Sequence, residues 1–528
     1  MDVLGMVQKS YDSPPSYEEA APGVPQNHRD IQTVGDLLGI NYKAVGVREQ
    51  MRRNLLAAAR SGSERYPGIV GFDEDVLPSI DRAILAGHDM LLVGQMGQAK
   101  TMLARGIAAS LLSPIPVVRG GTTNDIHTDL PPGDLAALLG GGEIPDPLRF
   151  HVSPEAARAI MNDGLDAPIE WVDGTARSRF ITATPDTTVK DLVGYVDAIK
   201  VARRGIEMYR IESYSAGHLM QSKHGILCID ELPVLDPRKQ VALLSVLQEG
   251  SFTTGTYRVI FEPRLALLAT ANPVDYTHSG RIIEPLHDRL ASHIRTRYPS
   301  TIRDEIKIIL QEASLPSCAL AGPMLELLAG AVRRARSDDR IDQEKGVSVR
   351  SGIHGLEVLV AEAARVRPAE RACPRPSDMG CLEQAVKVRL AEMDDTLENR
   401  ARTVRDIVAE SLRESYARMC PADADAESIS AEFAGKMFVV SQDHVWSGGP
   451  DSYREQLSHF PALGRLVESM VPGDARDDPD GAVQAANASG WPSPGDGLRA
   501  VAVEVALECL RWRTPPILER REDAYGPA

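Results

Sequence analysis

The sequence predicts an α/β protein built on a parallel sheet covered by helices. Three observations carry this. Short apolar strands recur at Met90–Val93, Pro116–Val118, Gly225–Ile229 and Leu265–Thr270. Helical patterns such as Thr101–Leu112 and Pro237–Glu249 separate them. Strand and helix alternate at the spacing of a parallel sheet with covering helices.

Around this core the chain reads as follows. Residues 1–30 are rich in Pro, Ser and acidic groups and are expected to be a disordered arm. Residues 31–65 carry helical periodicity through Val34, Leu37, Leu38, Val47, Met51 and Leu55, a helical lead-in. The nucleotide-binding core spans 66–299. Residues 119–185, with Gly, Pro and Asp clusters, form an insertion in it. Residues 300–419 read as a helical lid domain with a following helix. An acidic C-terminal extension, 420–528, contains a linker at 472–496 and a last amphipathic helix, Leu498–Trp512. The insertion and the extension look poor in core-forming residues. In the terminal helix, Val503, Ala506, Leu507 and Leu510 share one face, which would dock on the chain itself or on a partner.

Composition excludes several classes. The chain has 528 residues, 43% hydrophobic and 25% charged, the balance of a globular protein. A net charge of −16 counts against binding to nucleic acid, which needs a cationic face to displace counterions. The six cysteines are scattered without CxxC pairs, which fits a reducing, cytoplasmic setting, and Cys228 reads as a core residue. No apolar run is long enough to span a membrane, and the N-terminus has no apolar signal segment.

The chemistry is concentrated in two strings. Gly94-Gln95-Met96-Gly97-Gln98-Ala99-Lys100-Thr101 follows a strand and opens a helix, the context of a phosphate-binding loop. Small residues let backbone N–H groups wrap a phosphate, and the helix N-terminus adds positive potential. Lys100 would bridge the β- and γ-phosphates of ATP, and the Thr101 hydroxyl would ligate Mg²⁺. Ala99 stands where such loops carry Gly; alanine is tolerable there if its φ is negative. The second string, Ile226-Leu227-Cys228-Ile229-Asp230-Glu231, delivers two carboxylates to a strand end. Asp230 would hold Mg²⁺ through water and Glu231 would polarise the attacking water.

The order of phosphate loop, TTVKDLVGYVD, GILCIDELPVLDPRKQVALLSVLQEGSF and ALLATANPVDYTHSGRIIEPLHDRLASHIRTRYP resembles the magnesium-chelatase motor subunit and MoxR branch of AAA+ ATPases, over roughly residues 66–395. The resemblance implies that Asn272 is sensor 1, orienting the water, and that Arg289, in LHDRL, is an arginine finger. It also makes Arg350 a sensor 2 contacting phosphate in cis, although the commoner fate of an arginine is a solvated surface charge. Leu290 replaces the family's usual Phe after the finger. Asp191–Gly205 would be a projecting insert and Ser251–Pro263 a β-hairpin around Gly255. By the same resemblance the protein is a homo-oligomeric ring, most simply a hexamer, that remodels a protein client, for instance one with a von Willebrand factor A domain. Three alternatives stay open: a magnesium-chelatase motor driving metal insertion into a porphyrin, a DNA translocase and a nucleotide-switched scaffold without catalysis.

Overall fold

The computed structural model describes residues 3–142, 149–205, 211–254, 257–273, 281–343, 346–368, 371–391, 395–421, 424–446, 451–471 and 494–528. The chain divides into two compact units, Met1–Gln95 with Ala99–Arg297, and Met96–Gln98 with Tyr298–Ala528.

The first unit is the expected α/β core, a parallel sheet flanked by helices. Its sheet contains β1 (Met90–Val93), β2 (Arg179–Thr182), β3 (Ile226–Asp230), β4 (Ala266–Ala271) and β5 (Ser292–Arg295). All neighbours are parallel, in the order β5-β1-β4-β3-β2. Side chains alternate between two apolar layers. Leu91, Leu227, Ile229, Leu267 and Ala269 enter one. Met90, Leu92, Ile226, Cys228, Ala266 and Leu268 enter the other. Both faces of the three inner strands β1, β3 and β4 are buried, so these read as unbroken apolar runs.

One strand assignment needs correction, and one core strand was missed. Pro116–Val118 does not join the parallel sheet; Ile115–Val118 pairs antiparallel with Ile169–Val172. Its place is taken by β2, whose sequence RFIT begins with a cation because it is the edge strand. The expected 119–185 insertion therefore includes a core strand.

The N-terminal arm is also ordered. Val3–Asp12 is helical and Glu19–Ala21 pairs with Val24–Pro25. Val7, Ile31, Val34 and Leu37 share one core with Ile115, Ile126, Leu135, Ile160 and Ile169. Segments that each look too poor in apolar residues to fold alone build a core jointly. The lead-in helices are Val34–Gly39 and Val47–Ser61. The segment expected as an insert, Asp191–Gly205, lies in Val189–Val193, the strand Gly194–Val196 paired with Tyr214–Ala216, and Ala198–Arg204. The hairpin forms between Ser251–Thr254 and Tyr257–Phe261, and its second strand also pairs with Arg149–Phe150; Gly255 lies outside the described residues.

The second unit is mostly helical. Helices Ile302–Glu312, Gly322–Ser337, Arg350–Val366 and Leu397–Met419 enclose one core. The extension is mostly helical, as expected, but it also builds a core of its own, which its composition did not suggest. Ile429, Phe433, Phe438, Tyr453, Phe460 and Leu463 make a second core. Phe438–Val439 pairs with Ala524–Pro527, which pairs with Leu518–Arg521. The terminal helix runs Pro494–Trp512 and is not amphipathic in place. Val503, Ala506, Leu507 and Leu510 face the second core, while Val501, Val505 and Cys509 on the other side enter the first. Most of the expected 472–496 linker lies outside the described residues. Among the described residues no helix is long and apolar enough to cross a membrane.

Candidate functional site

The C-terminal edge of the sheet assembles the site. β1 feeds the loop Gly94–Ala99, and the helix Lys100–Leu111 follows at once. The Gly94 N–H donates to Ala271 O at 3.1 Å, fixing the start of the loop to the end of β4. Gly97 has φ +75°, a conformation natural to glycine. Ala99 has φ +54°, also left-handed. The negative φ that would have made alanine comfortable is therefore not adopted, and the loop's turn overrides the side chain's preference.

Lys100 is buried and its ammonium is held by oxygens. Nζ donates to Gly94 O at 2.5 Å, to Gln95 O at 2.9 Å and to Asn272 Oδ1 at 3.0 Å. The Thr101 hydroxyl donates to Asp230 Oδ2 at 2.9 Å. Four predicted residues, Lys100, Thr101, Asp230 and Asn272, thus meet at one strand edge, with Glu231 next in the chain. Glu231 has φ +59°, so the strand ends in an abrupt turn at the expected base.

Thr270 escaped the sequence reading. Its hydroxyl donates to Asp230 Oδ1 and accepts from the Glu231 N–H at 3.0 Å. One side chain therefore orients one acidic residue and fixes the backbone of the other. The available signal was a hydroxyl two residues before Asn272, at the end of an otherwise apolar strand, ALLATA.

The two arginines are not part of this cluster. Arg289 ends the helix Glu284–Arg289, just before β5, and its guanidinium lies 3.8 Å from Asp89. Asp89 precedes β1, so Arg289 sits at the opposite end of that strand from the phosphate loop. Asp89 has stronger partners in Arg48 at 2.8 Å and the Leu267 N–H at 2.9 Å. Arg350 is the first residue of the helix Arg350–Val366 in the second unit, where it is exposed. Cys228, deep in β3, has its thiol pKa pushed up by burial and behaves as the expected core residue.

The donor set suits a nucleotide with its metal. A hydroxyl and a carboxylate 2.9 Å apart are the hard oxygen ligands that Mg²⁺ takes. An ammonium at a helix N-terminus beside glycine-containing backbone is a phosphate cradle.

No family model matches the sequence. The chain is 28% identical over 218 residues to the uncharacterized protein YeaC of Bacillus subtilis (strain 168), covering 40% of this chain and 61% of YeaC. It is 27% identical over 124 residues to the DNA replication licensing factor Mcm6 of Anopheles gambiae, covering 22% of this chain and 15% of Mcm6. The chain thus spans about three fifths of one curated relative and a small part of the other. Among solved structures it is similar to NtrX from Brucella abortus, with 14% identity, coverage of 68% of this chain and 66% of that one, and a TM-score of 0.33. It is also similar to a BchI–BchD complex of magnesium chelatase, with 16% identity, coverage of 84% and 94%, and a TM-score of 0.31.

Proposed function

We propose that this chain is a Mg²⁺-dependent ATPase that works as a homo-oligomeric ring, hexameric in the simplest case, to remodel a protein partner. The observation that carries the reading is the convergence of Lys100, Thr101, Asp230 and Asn272, tied together by hydrogen bonds at one strand edge. In this reading Lys100 exchanges its loop carbonyls for phosphate oxygens. Thr101, and Asp230 through water, would hold Mg²⁺, which would supply charge neutralisation at the phosphates. Glu231 takes a proton from the attacking water, and Asn272 positions that water with its side-chain amide. Arg289, remote from its own loop, serves a neighbouring subunit, while Arg350 serves its own site.

Lys100→Ala should abolish ATP binding, measured with a fluorescent nucleotide. Glu231→Gln should bind ATP normally and hydrolyse it at least about 100-fold more slowly, because an amide is no base. Turnover of the Gln variant at the wild-type rate would overturn the assignment.

A second reading, DNA translocation, draws on the partial match to Mcm6. The net charge of −16 weighs against it. Duplex DNA stimulates ATPase activity if that reading holds and leaves it unchanged if the client is a protein. The chelatase alternative is separated by assaying porphyrin metallation with a chelatase catalytic partner. The client's fold, a von Willebrand factor A domain or another, is read by capture on the ATP-loaded Glu231→Gln protein.

A further inference from the structure

Away from the phosphate loop, the first unit buries a second cation. Arg177 is fully buried, and among the described residues it forms no ion pair. Its Nη2 donates to Gln50 Oε1 at 2.5 Å and to Ser113 O at 2.7 Å. Its Nε and Nη1 have no hydrogen-bond partner. Burial lowers the guanidinium pKa to about 10, so it is still charged at neutral pH. The nearby carboxylate that favours the charge, Asp173, is itself exposed.

The surroundings are rich in further unpartnered polar groups. Gln50 is fully buried, and while its Oε1 accepts from Arg177, its Nε2 has no partner. The Tyr42 hydroxyl, close enough to Arg177 to feel its charge, has none either. The His127 ring lies 6.0 Å from the Tyr42 ring with both nitrogens unpartnered, and burial lowers its pKa to about 4, keeping it neutral. Asp129, the buried acid beyond it, is engaged by Lys223 at 2.7 Å and by His224 and Arg264 at 2.8 Å. It has no bond left to offer Arg177.

The arginine is held rigidly. Asn124 Nδ2 donates to the carbonyls of Arg177, Gln221 and Lys223 at 3.0, 3.0 and 2.8 Å. At Gly225 a Cβ would come within 2.2 Å of the Arg177 carbonyl oxygen, so no larger residue fits there. A lone buried cation with several idle donors around it is costly unless something accepts from them.

We propose that Arg177, Gln50 and Tyr42 form a binding site for one small oxyanion, phosphate or carboxylate, enclosed beneath the N-terminal segment. The donors offered are the N–H groups of a planar guanidinium, joined by the Gln50 amide N–H and the Tyr42 hydroxyl, a set that recognises such groups. The segment around Tyr17 closes over it, with the Tyr17 ring stacked on Tyr42 at 6.0 Å. The anion would enter as the fold forms, and it would stabilise the folded state by mass action.

The test uses full-length protein carrying Lys100→Ala, which removes the phosphate loop as a competing anion site. Thermal melts are recorded across a phosphate series and an acetate series, each at constant ionic strength made up with chloride. Phosphate stabilises proteins generally by exclusion, so the reading is the difference from Arg177→Met in the same background. We expect the melting temperature to rise with phosphate or acetate beyond that of Arg177→Met; whichever series shows it identifies the anion. Tyr42→Phe keeps the charge, serves if Arg177→Met does not fold, and should weaken the apparent affinity about tenfold. Melting curves that respond identically in the parent, Arg177→Met and Tyr42→Phe overturn the proposal. Because Lys100 is absent throughout, this result is independent of whether the chain hydrolyses ATP.

Discussion

At Thr270 a single hydroxyl donates to Asp230 and accepts from the Glu231 N–H, so the two acids are set by a residue that carries no charge. Thr270→Val keeps the shape and deletes both bonds. The expected result is ATP binding within about twofold of normal with turnover lowered roughly 10- to 100-fold, and Thr270→Ser should recover most of it. Equal losses in binding and turnover would mean that the residue only maintains the fold. Ala99 gives a second test at this scale. An L-residue in the left-handed region costs about 1 kcal/mol, so Ala99→Gly should stabilise the first unit by about that amount in urea unfolding. An unchanged midpoint would mean that the lost methyl packing cancels the relieved strain. Lys100, Thr101 and Asp230 were legible in the sequence because a strand, a glycine-containing loop and a helix fix where they must lie. Thr270 was not, because its partners are set by the register between β3 and β4, which no local pattern encodes.

Among the elements, the terminal helix shows where pattern reading ran short. Its apolar face at Val503, Ala506, Leu507 and Leu510 was visible, and that face docks on the chain's own extension. The opposite face was not visible, because Glu504 and Glu508 interrupt it. Both acids are buried with partners: Glu504 accepts from the Ser377 N–H at 2.8 Å and the Tyr453 hydroxyl at 2.9 Å. Glu508 accepts from Trp512 Nε1 at 2.9 Å and from the Tyr525 hydroxyl. Charge in sequence thus disguised a helix buried on all sides. A chain ended at Met419 removes Val501, Val505 and Cys509 from the core of the helical region before it. It should lose the cooperative melt of the second unit and become protease-sensitive there. A milder probe, Leu507→Ala, should cost about 2–4 kcal/mol. Were the truncated chain to melt like the full protein, the helix would be a dispensable attachment.

For the whole molecule, the distribution of Arg289 and Lys100 to opposite ends of β1 has a consequence for assembly. On the proposed reading, a cation at one end of the sheet and a phosphate loop at the other would meet between copies of the chain. Arg289→Ala and Lys100→Ala proteins should each be inactive alone. Mixed, they should regain part of the ATPase rate, since some interfaces pair an intact loop with an intact arginine. A mixture as inactive as its components, in a sample that light scattering shows to be oligomeric, would remove Arg289 from the shared site. The parallel sheet and the helical character of 300–419 followed from periodicity, whereas the order of the strands did not. The union of the N-terminal segment with the inserted residues did not, because it joins partners too distant in sequence for any window to connect.

That union has a meaning in time. On the ribosome, Val34, Leu37 and Leu38 emerge roughly 130 residues before Ile169, which completes their core. At ordinary elongation rates they wait on the order of ten seconds. Through that interval these residues offer apolar side chains to whatever holdase meets them, and their closure is timed by translation of the segment that follows β1.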